Sequence, residues 1–189
     1  MLKNDVRKLF RQKRNELSPG ERLRADDLIL IQFQHVQLPF ISLAFSYYPI
    51  EERKEVNTFI VTDYLRFKNP DLQIAYPKID FLTSTMKAIL YNDKTKFQVN
   101  DYQIPEPLHG EEVKPSILDL VLVPVLAFDK RGFRVGYGKG FYDRFLKQCR
   151  AECLKIGLCY FAPVDQIEDT NEFDVPLNFC ITPQKVYVF

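Results

Sequence analysis

The chain has 189 residues, a length that fits one domain and is enough to bury a full hydrophobic core. Its 26 Lys and Arg against 25 Asp and Glu leave a net charge of +1, which argues against a dedicated nucleic-acid or membrane-surface binder. Hydrophobic residues at 46% and charged residues at 27% exclude a disordered chain, and no apolar run reaches the ~20 residues that span a bilayer.

The first segment, MLKNDVRKLFRQKR, lacks the apolar stretch and cleavage site of a secretory signal, so a cytoplasmic protein is expected, and because a domain of this size can stand alone, a monomer. Leu2, Val6, Leu9, Phe10 and Leu17 recur at helical spacing and predict a helix over 2–17. Ser18-Pro19-Gly20-Glu21 carries a capping box and a first-turn proline, opening a second helix that runs through Leu23, Leu28 and Ile31 towards Pro39. Residues 41–48 then read as a strand buried on both faces, and 56–67 as a helix stopped before Pro70. Strands follow at 72–76, 88–91 and 117–123, the last being the most apolar and therefore central. Residues 100–116, rich in Pro and Glu, read as a long ordered loop. A helix over 139–150 and strands at 154–159, 179–182 and 186–189 complete the chain. This order predicts a single α/β domain over 1–189, with a mainly parallel central sheet flanked by helices.

Four of the 7 glycines, Gly132, Gly136, Gly138 and Gly140, fall between an apolar strand and a helix. Such a loop lets backbone N–H groups approach an anion closely, and Arg134 and Lys139 add full charges. It is neither G-x-x-x-x-G-K-S/T nor G-x-G-x-x-G. Two readings stand: a phosphate cradle, or a plain hairpin turn at Asp129-Lys130-Arg131-Gly132 followed by packing glycines. Asp143 is either a first-turn acid facing the helix dipole or a Mg²⁺ ligand beside phosphate. Lys3, Arg7, Arg11 and Arg14 form a stripe that is either a solvated face or a second set of phosphate ligands. The cysteines (149, 153, 159 and 180) have no Cys-x-x-Cys spacing, and only His35 and His109 are present. Neither a structural zinc site nor a histidine-based triad is therefore expected.

The stretch VPVLAFDKRGFRVGYGKGFYDR, within Asp119–Arg144, closely resembles the signature of the 5-formyltetrahydrofolate cyclo-ligase family. Further pieces lie in the family's order. They are Lys3-x-x-x-Arg7, Tyr47-Tyr48-Pro49-Ile50, Glu55-Val56-Asn57-Thr58, Tyr76-Pro77-Lys78, Ile104-Pro105-Glu106-Pro107 and Asp174-Val175-Pro176-Leu177-Asn178.

The resemblance implies ATP- and Mg²⁺-dependent conversion of 5-formyltetrahydrofolate to 5,10-methenyltetrahydrofolate, with release of ADP and phosphate. It implies ATP contacts from Lys3, Arg7, Arg134, Gly136, Tyr137, Gly138, Lys139, Gly140, Phe141 and Tyr142. Of these, Arg134, Lys139 and Tyr142 would serve the chemistry. Tyr48, Glu55 and Tyr142 would contact the folate, and Asp143 and Asp174 the metal. For Glu55 the residues alone also allow a first-turn acid of the 56–67 helix. Three departures stand out: a Glu51–Lys54 segment about two residues longer than usual, Phe173 in place of a His, and Asp169-Thr170 in place of Leu-Pro. The alternatives are a non-catalytic nucleotide- or folate-binding relative, or a sugar-phosphate isomerase-like enzyme, which would need no Lys3, Arg7 or Mg²⁺.

Overall fold

The computed structural model describes residues 1–189. Two helices open the chain, α1 (Lys3–Glu16) and α2 (Pro19–Gln34). The capping box forms as the sequence predicts: the Ser18 hydroxyl accepts from the Glu21 N–H (3.3 Å) and the Glu21 carboxylate accepts from the Ser18 N–H (2.8 Å). Strand β1 (Leu43–Phe45) follows, then a single 3-10 turn (Glu51–Arg53), α3 (Phe59–Lys68), β2 (Gln73–Asp80) and β3 (Thr85–Tyr91). Next come the short strands β4 (Phe97–Val99), β5 (Pro105–Pro107) and β6 (Glu112–Val113), then β7 (Leu120–Pro124). A small hairpin of β8 (Ala127–Phe128) and β9 (Arg134–Val135) leads to α4 (Phe141–Leu146). Strands β10 (Leu154–Leu158), β11 (Phe179–Ile181) and β12 (Val186–Val188) end the fold.

Eight strands make one sheet in the order β12-β11-β10-β7-β1-β2-β3-β6. The five middle strands, β11 to β2, are parallel, and both flanks are antiparallel. The expected central strand is β7, between β10 and β1. Residues 100–116 are not one loop: β5 pairs with β4, and β6 forms the edge beside β3. Their proline and acidic content masked strands of two and three residues, too short for a period to show.

Alternation along the strands sorts the core into two layers. Ala44, Ile74, Leu120, Leu122, Ile156 and Ile181 face α2 and α3, where Ile29, Phe33, Val61 and Leu65 cover them. Phe45, Ala75, Val121, Val123 and Cys180 face the other way, against Phe145 and Leu146 of α4. Each fully buried Leu, Ile, Val or Phe contributes about 1.5–3 kcal/mol. Gly157 belongs to the second layer because a Cβ there would lie 2.7 Å from Val125 and 2.8 Å from Leu177.

Helix α1 packs separately, over the β8–β9 hairpin, in a cluster with Leu126, Ala127, Val135 and Ile167. Its buried face is Val6, Phe10 and Arg14, four residues apart. The apolar periodicity of the sequence is partly misleading here, because Leu2 and Leu9 are exposed and a cation occupies the third inward position. All four cysteines are free. No helix is long and apolar enough to cross a membrane.

Candidate active site

The parallel strands β7 and β1 end towards a cavity of about 1080 Å³, entered between α1, the 3-10 turn and the loop before α4. Clefts beyond the carboxyl ends of parallel strands are the usual ligand sites of open α/β sheets. Every site residue named from the sequence lines this one cavity: Lys3, Arg7, Tyr48, Glu55, all of Arg134 and 136–143, and Asp174.

The glycine-rich segment resolves into two parts. Asp129–Gly132 is a plain hairpin turn, closed by the Gly132 N–H on the Asp129 carbonyl (3.1 Å). Its buried Asp129 carboxylate accepts from the N–H groups of Arg131, Phe133 and Ile167 at 2.9–3.1 Å. Gly136, Gly138 and Gly140 instead border the cavity. Gly138 has φ +88°, and a Cβ there would stand 3.1 Å from the Arg7 guanidinium. Gly140 caps α4 in the left-handed region. Helix α4 is only six residues long rather than reaching residue 150, so Lys139 lies outside it, exposed at the loop.

The basic stripe of α1 is not a solvated face. Arg7 Nε donates to the Gly136 carbonyl (2.9 Å), and Arg14 donates to the Tyr137 hydroxyl (2.8 Å). Lys3 Nζ bridges both oxygens of Asp174 (2.7 and 2.6 Å). Arg11 stays exposed at the rim, its guanidinium 5.7 Å from the Tyr137 ring centre. Arg134, whose side chain is 5% exposed, pairs with Asp143 Oδ1 (3.0 Å) and donates to the Val175 carbonyl (2.7 Å). Asp143 thus has a role that neither first reading gave it. Its Oδ1 also accepts from the Val175 N–H (3.0 Å), tying α4 to the segment that carries Asp174.

Glu55 precedes α3 by several residues, so it is not a first-turn acid. Its carboxylate is buried, with Oε2 accepting from the Ile50 N–H (2.9 Å) and Oε1 from the Tyr137 hydroxyl. Burial raises its pKa, partly offset by those two hydrogen bonds and by the Arg14 and Arg53 charges. Burial together with the Glu55 charge pushes Tyr137 up to about 12. The Tyr142 hydroxyl is also buried against Glu55 and has no hydrogen-bond partner, a donor left for a ligand. Tyr48 packs edge-on to Phe59 and beside Phe97, presenting an aromatic wall.

Several lining residues were not singled out from the sequence. Arg53, in the lengthened segment, sits 4.6 Å from the Tyr137 ring centre and donates to the Tyr102 carbonyl (2.8 Å). Its neighbour Lys54, outside the lining and in the left-handed region, donates to the Asn15 and Leu17 carbonyls at the end of α1 and so anchors that segment (2.6 and 2.7 Å). Phe81 stacks on Tyr102 (3.9 Å) and meets Phe141 edge-on. No sequence spacing links these, since each reaches the cavity from a different loop. Phe173 is 64% exposed with the Lys147 ammonium over its ring (4.6 Å), and the neighbouring Asp174 keeps its place in the cavity.

A cavity at the carboxyl ends of parallel strands, with a cationic glycine loop on one side and a buried carboxylate on the other, is the kind of cleft in which open α/β enzymes bind their ligands. The model of the 5-formyltetrahydrofolate cyclo-ligase family matches residues 2–183, and the chain belongs to that family. A 5-formyltetrahydrofolate cyclo-ligase of Mycoplasma pneumoniae is 31% identical over 188 residues, 97% of this chain and 100% of that one. Among solved structures, a 5,10-methenyltetrahydrofolate synthetase from the same organism superposes with a TM-score of 0.75 at 28% identity, covering 97% of this chain and 99% of the other. The Aquifex aeolicus 5,10-methenyltetrahydrofolate synthetase gives 0.78 at 29% identity, covering 100% and 93%.

Proposed function

We propose that this protein converts 5-formyltetrahydrofolate to 5,10-methenyltetrahydrofolate at the expense of ATP. The family membership supports the reaction, and one observation supports its location. A single cavity holds the cations and glycine loop suited to polyphosphate beside a buried, hydrogen-bonded carboxylate suited to the N–H groups of a pterin ring.

The chemistry asks for little beyond positioning. The formyl oxygen is a poor leaving group until it takes the γ-phosphoryl group and releases ADP. The nearby bridge nitrogen then attacks the activated carbon and gives up its proton. Phosphate departs with the former formyl oxygen, leaving the carbon bonded to both nitrogens. Phosphoryl transfer depends on alignment and charge neutralisation, so no nucleophilic side chain is needed. Lys3, Arg7, Arg134 and Lys139, with the N–H groups of 136–142, hold ATP in this reading. Glu55, Tyr48 and the unpartnered Tyr142 hydroxyl orient the folate.

Mg²⁺ fits the donor set. Both side-chain bonds of Asp143 fall on Oδ1, leaving Oδ2 for a cation, and Asp174 is bound by the Lys3 ammonium, which phosphate could draw away. Two carboxylates with phosphate oxygens are an ordinary Mg²⁺ environment. When bound, the ion would neutralise charge on the transferring phosphoryl oxygens. The test is to incubate the protein with 5-formyltetrahydrofolate and Mg·ATP and to follow the near-ultraviolet absorbance of the methenyl product. Absence of product while nucleotide still binds refutes the enzyme reading.

A further inference from the structure

Arg14 is a buried cation, 6% exposed, with no carboxylate within ion-pairing distance. An unpaired buried charge is costly unless it is hydrogen-bonded to something that uses it. Its partner is the Tyr137 hydroxyl, which accepts from Arg14 at 2.8 Å and donates in turn to Glu55 Oε1. The second Glu55 oxygen is fixed by the Ile50 N–H, so the orientation of that carboxylate depends on the Tyr137 hydroxyl.

The same tyrosine lies between the two points where α1 grips the glycine loop. Arg7 donates to the Gly136 carbonyl on one side of it (2.9 Å). On the other side, a Cβ at Gly138 would stand 3.1 Å from the Arg7 guanidinium, tighter than ordinary van der Waals contact. Arg7 and Arg14 are seven residues apart, two helical turns, and so share one face of α1. Helix and loop are therefore joined at the backbone by Arg7 and at the tip of Tyr137 by Arg14. The Arg53 guanidinium, 4.6 Å from the ring centre, covers the tyrosine from the 3-10 turn.

We propose that Arg14 and Tyr137 are positioning residues which couple the two substrate sites, so that nucleotide on Arg7 and the glycine loop sets the Glu55 carboxylate for folate. The inference rests on the proposed function, because it takes Arg7 and the loop for nucleotide and Glu55 for the pterin. Phosphate competes with the Gly136 carbonyl for Arg7 and re-seats the loop. The loop carries the Tyr137 hydroxyl, and the hydroxyl aims the carboxylate. Binding coupling is reciprocal, so folate tightens nucleotide by the same factor.

The measurement is the dissociation constant of 5-formyltetrahydrofolate by calorimetry, with and without a saturating β,γ-imido analogue of ATP and Mg²⁺. In the wild-type protein the analogue is expected to tighten folate by about fivefold or more. In Tyr137→Phe, which keeps the ring and its arginine neighbours, that ratio falls towards one while nucleotide still binds. Arg14→Gln gives the same loss and Arg14→Lys restores part of it. A purely structural role would weaken binding and leave the ratio alone. A wild-type ratio of one, or an unchanged ratio in Tyr137→Phe, overturns the coupling. Glu55→Gln separates the two levels. Weaker folate binding is expected there without nucleotide, and undiminished binding removes Glu55 from the folate site and the coupling with it.

Discussion

Gly138→Ala tests whether the loop is held in shape for Arg7. At φ +88° an alanine pays about 1–2 kcal/mol for the left-handed region. Its methyl would also lie 3.1 and 3.2 Å from two guanidinium atoms of Arg7, tighter than ordinary contact. Arg7 has to give way, and the hydrogen bond it makes to the Gly136 carbonyl is what it loses. For a domain of this size each kcal/mol moves the melting temperature by about 2–4 °C, so a fall of roughly 2–8 °C is expected from the backbone term alone. The displaced guanidinium is also out of place for the phosphate it would meet in the proposed function. A lost hydrogen bond between two charged groups amounts to about 1.5–3 kcal/mol, or roughly ten- to hundredfold in the KM for ATP. Gly136→Ala is the internal control for stability. Its φ is not in the left-handed region and the nearest atom to its Cβ is a carbonyl oxygen at 4.0 Å, so its melting temperature should stay within about 2 °C of wild type. Thermal melts and ATP titrations of the absorbance assay read both effects. Equal melting temperatures for the two variants, with an unchanged KM for ATP in Gly138→Ala, would refute the steric argument.

Asp143→Asn removes the charge paired with the nearly buried Arg134, and is expected to cost about 1–3 kcal/mol, less than for a fully buried pair. The fold persists by circular dichroism while Mg·ATP turnover falls at least about a hundredfold; an unchanged rate would move the metal role elsewhere. Glu55 has a folded pKa raised above its ordinary 4.5 by burial, so the fold favours the protonated acid. That stabilisation is fully present below the unfolded value and is lost as pH rises through the raised folded one. Glu55→Gln should therefore gain stability relative to wild type as pH rises from acid to alkaline, and parallel denaturant curves across that range would contradict the assignment. Gly157→Ala forces a methyl between Val125 and Leu177, for an expected loss of about 1–3 kcal/mol in urea melts with little change in nucleotide affinity.

The central sheet was legible because β7 and β1 are apolar on both faces and helical periods lie between the parallel strands. The cavity was legible where a backbone requirement leaves a residue signature: glycines at positive φ, and charges spaced along one helix. What escaped was set by tertiary contact. Val56 looked helical by pattern, yet the helix starts at Phe59, because the Glu55 carboxylate and Thr58 hydroxyl are claimed by Ile50 and Tyr47 across the loop. Arg14 looked like one more charge on a solvated stripe. Only the fold turns it inward, in line with Val6 and Phe10. Arg53 reaches Tyr137 from the single 3-10 turn at Glu51–Arg53, and no periodicity encodes that approach.

Two of the cavity's cations rest on its two aspartates, and this bears on the proposed function. Lys3 is held by Asp174 and Arg134 by Asp143, so two of the cations that the proposed function assigns to phosphate rest on the two carboxylates it assigns to metal. Arg7 rests instead on the Gly136 carbonyl. Without such pairing, four like charges gathered around one cavity would repel, and the carboxylates would be left to bind stray cations. Mg·ATP brings both signs at once. In the proposed function its phosphates would replace the aspartates on Lys3 and Arg134 while those aspartates would hold its metal, so neither ion pair would leave a charge unpaired. Nucleotide without metal, or metal without nucleotide, satisfies only half of that exchange. Each alone should therefore bind far more weakly than the two together, a ratio that titrations with ATP, Mg²⁺ and Mg·ATP measure directly.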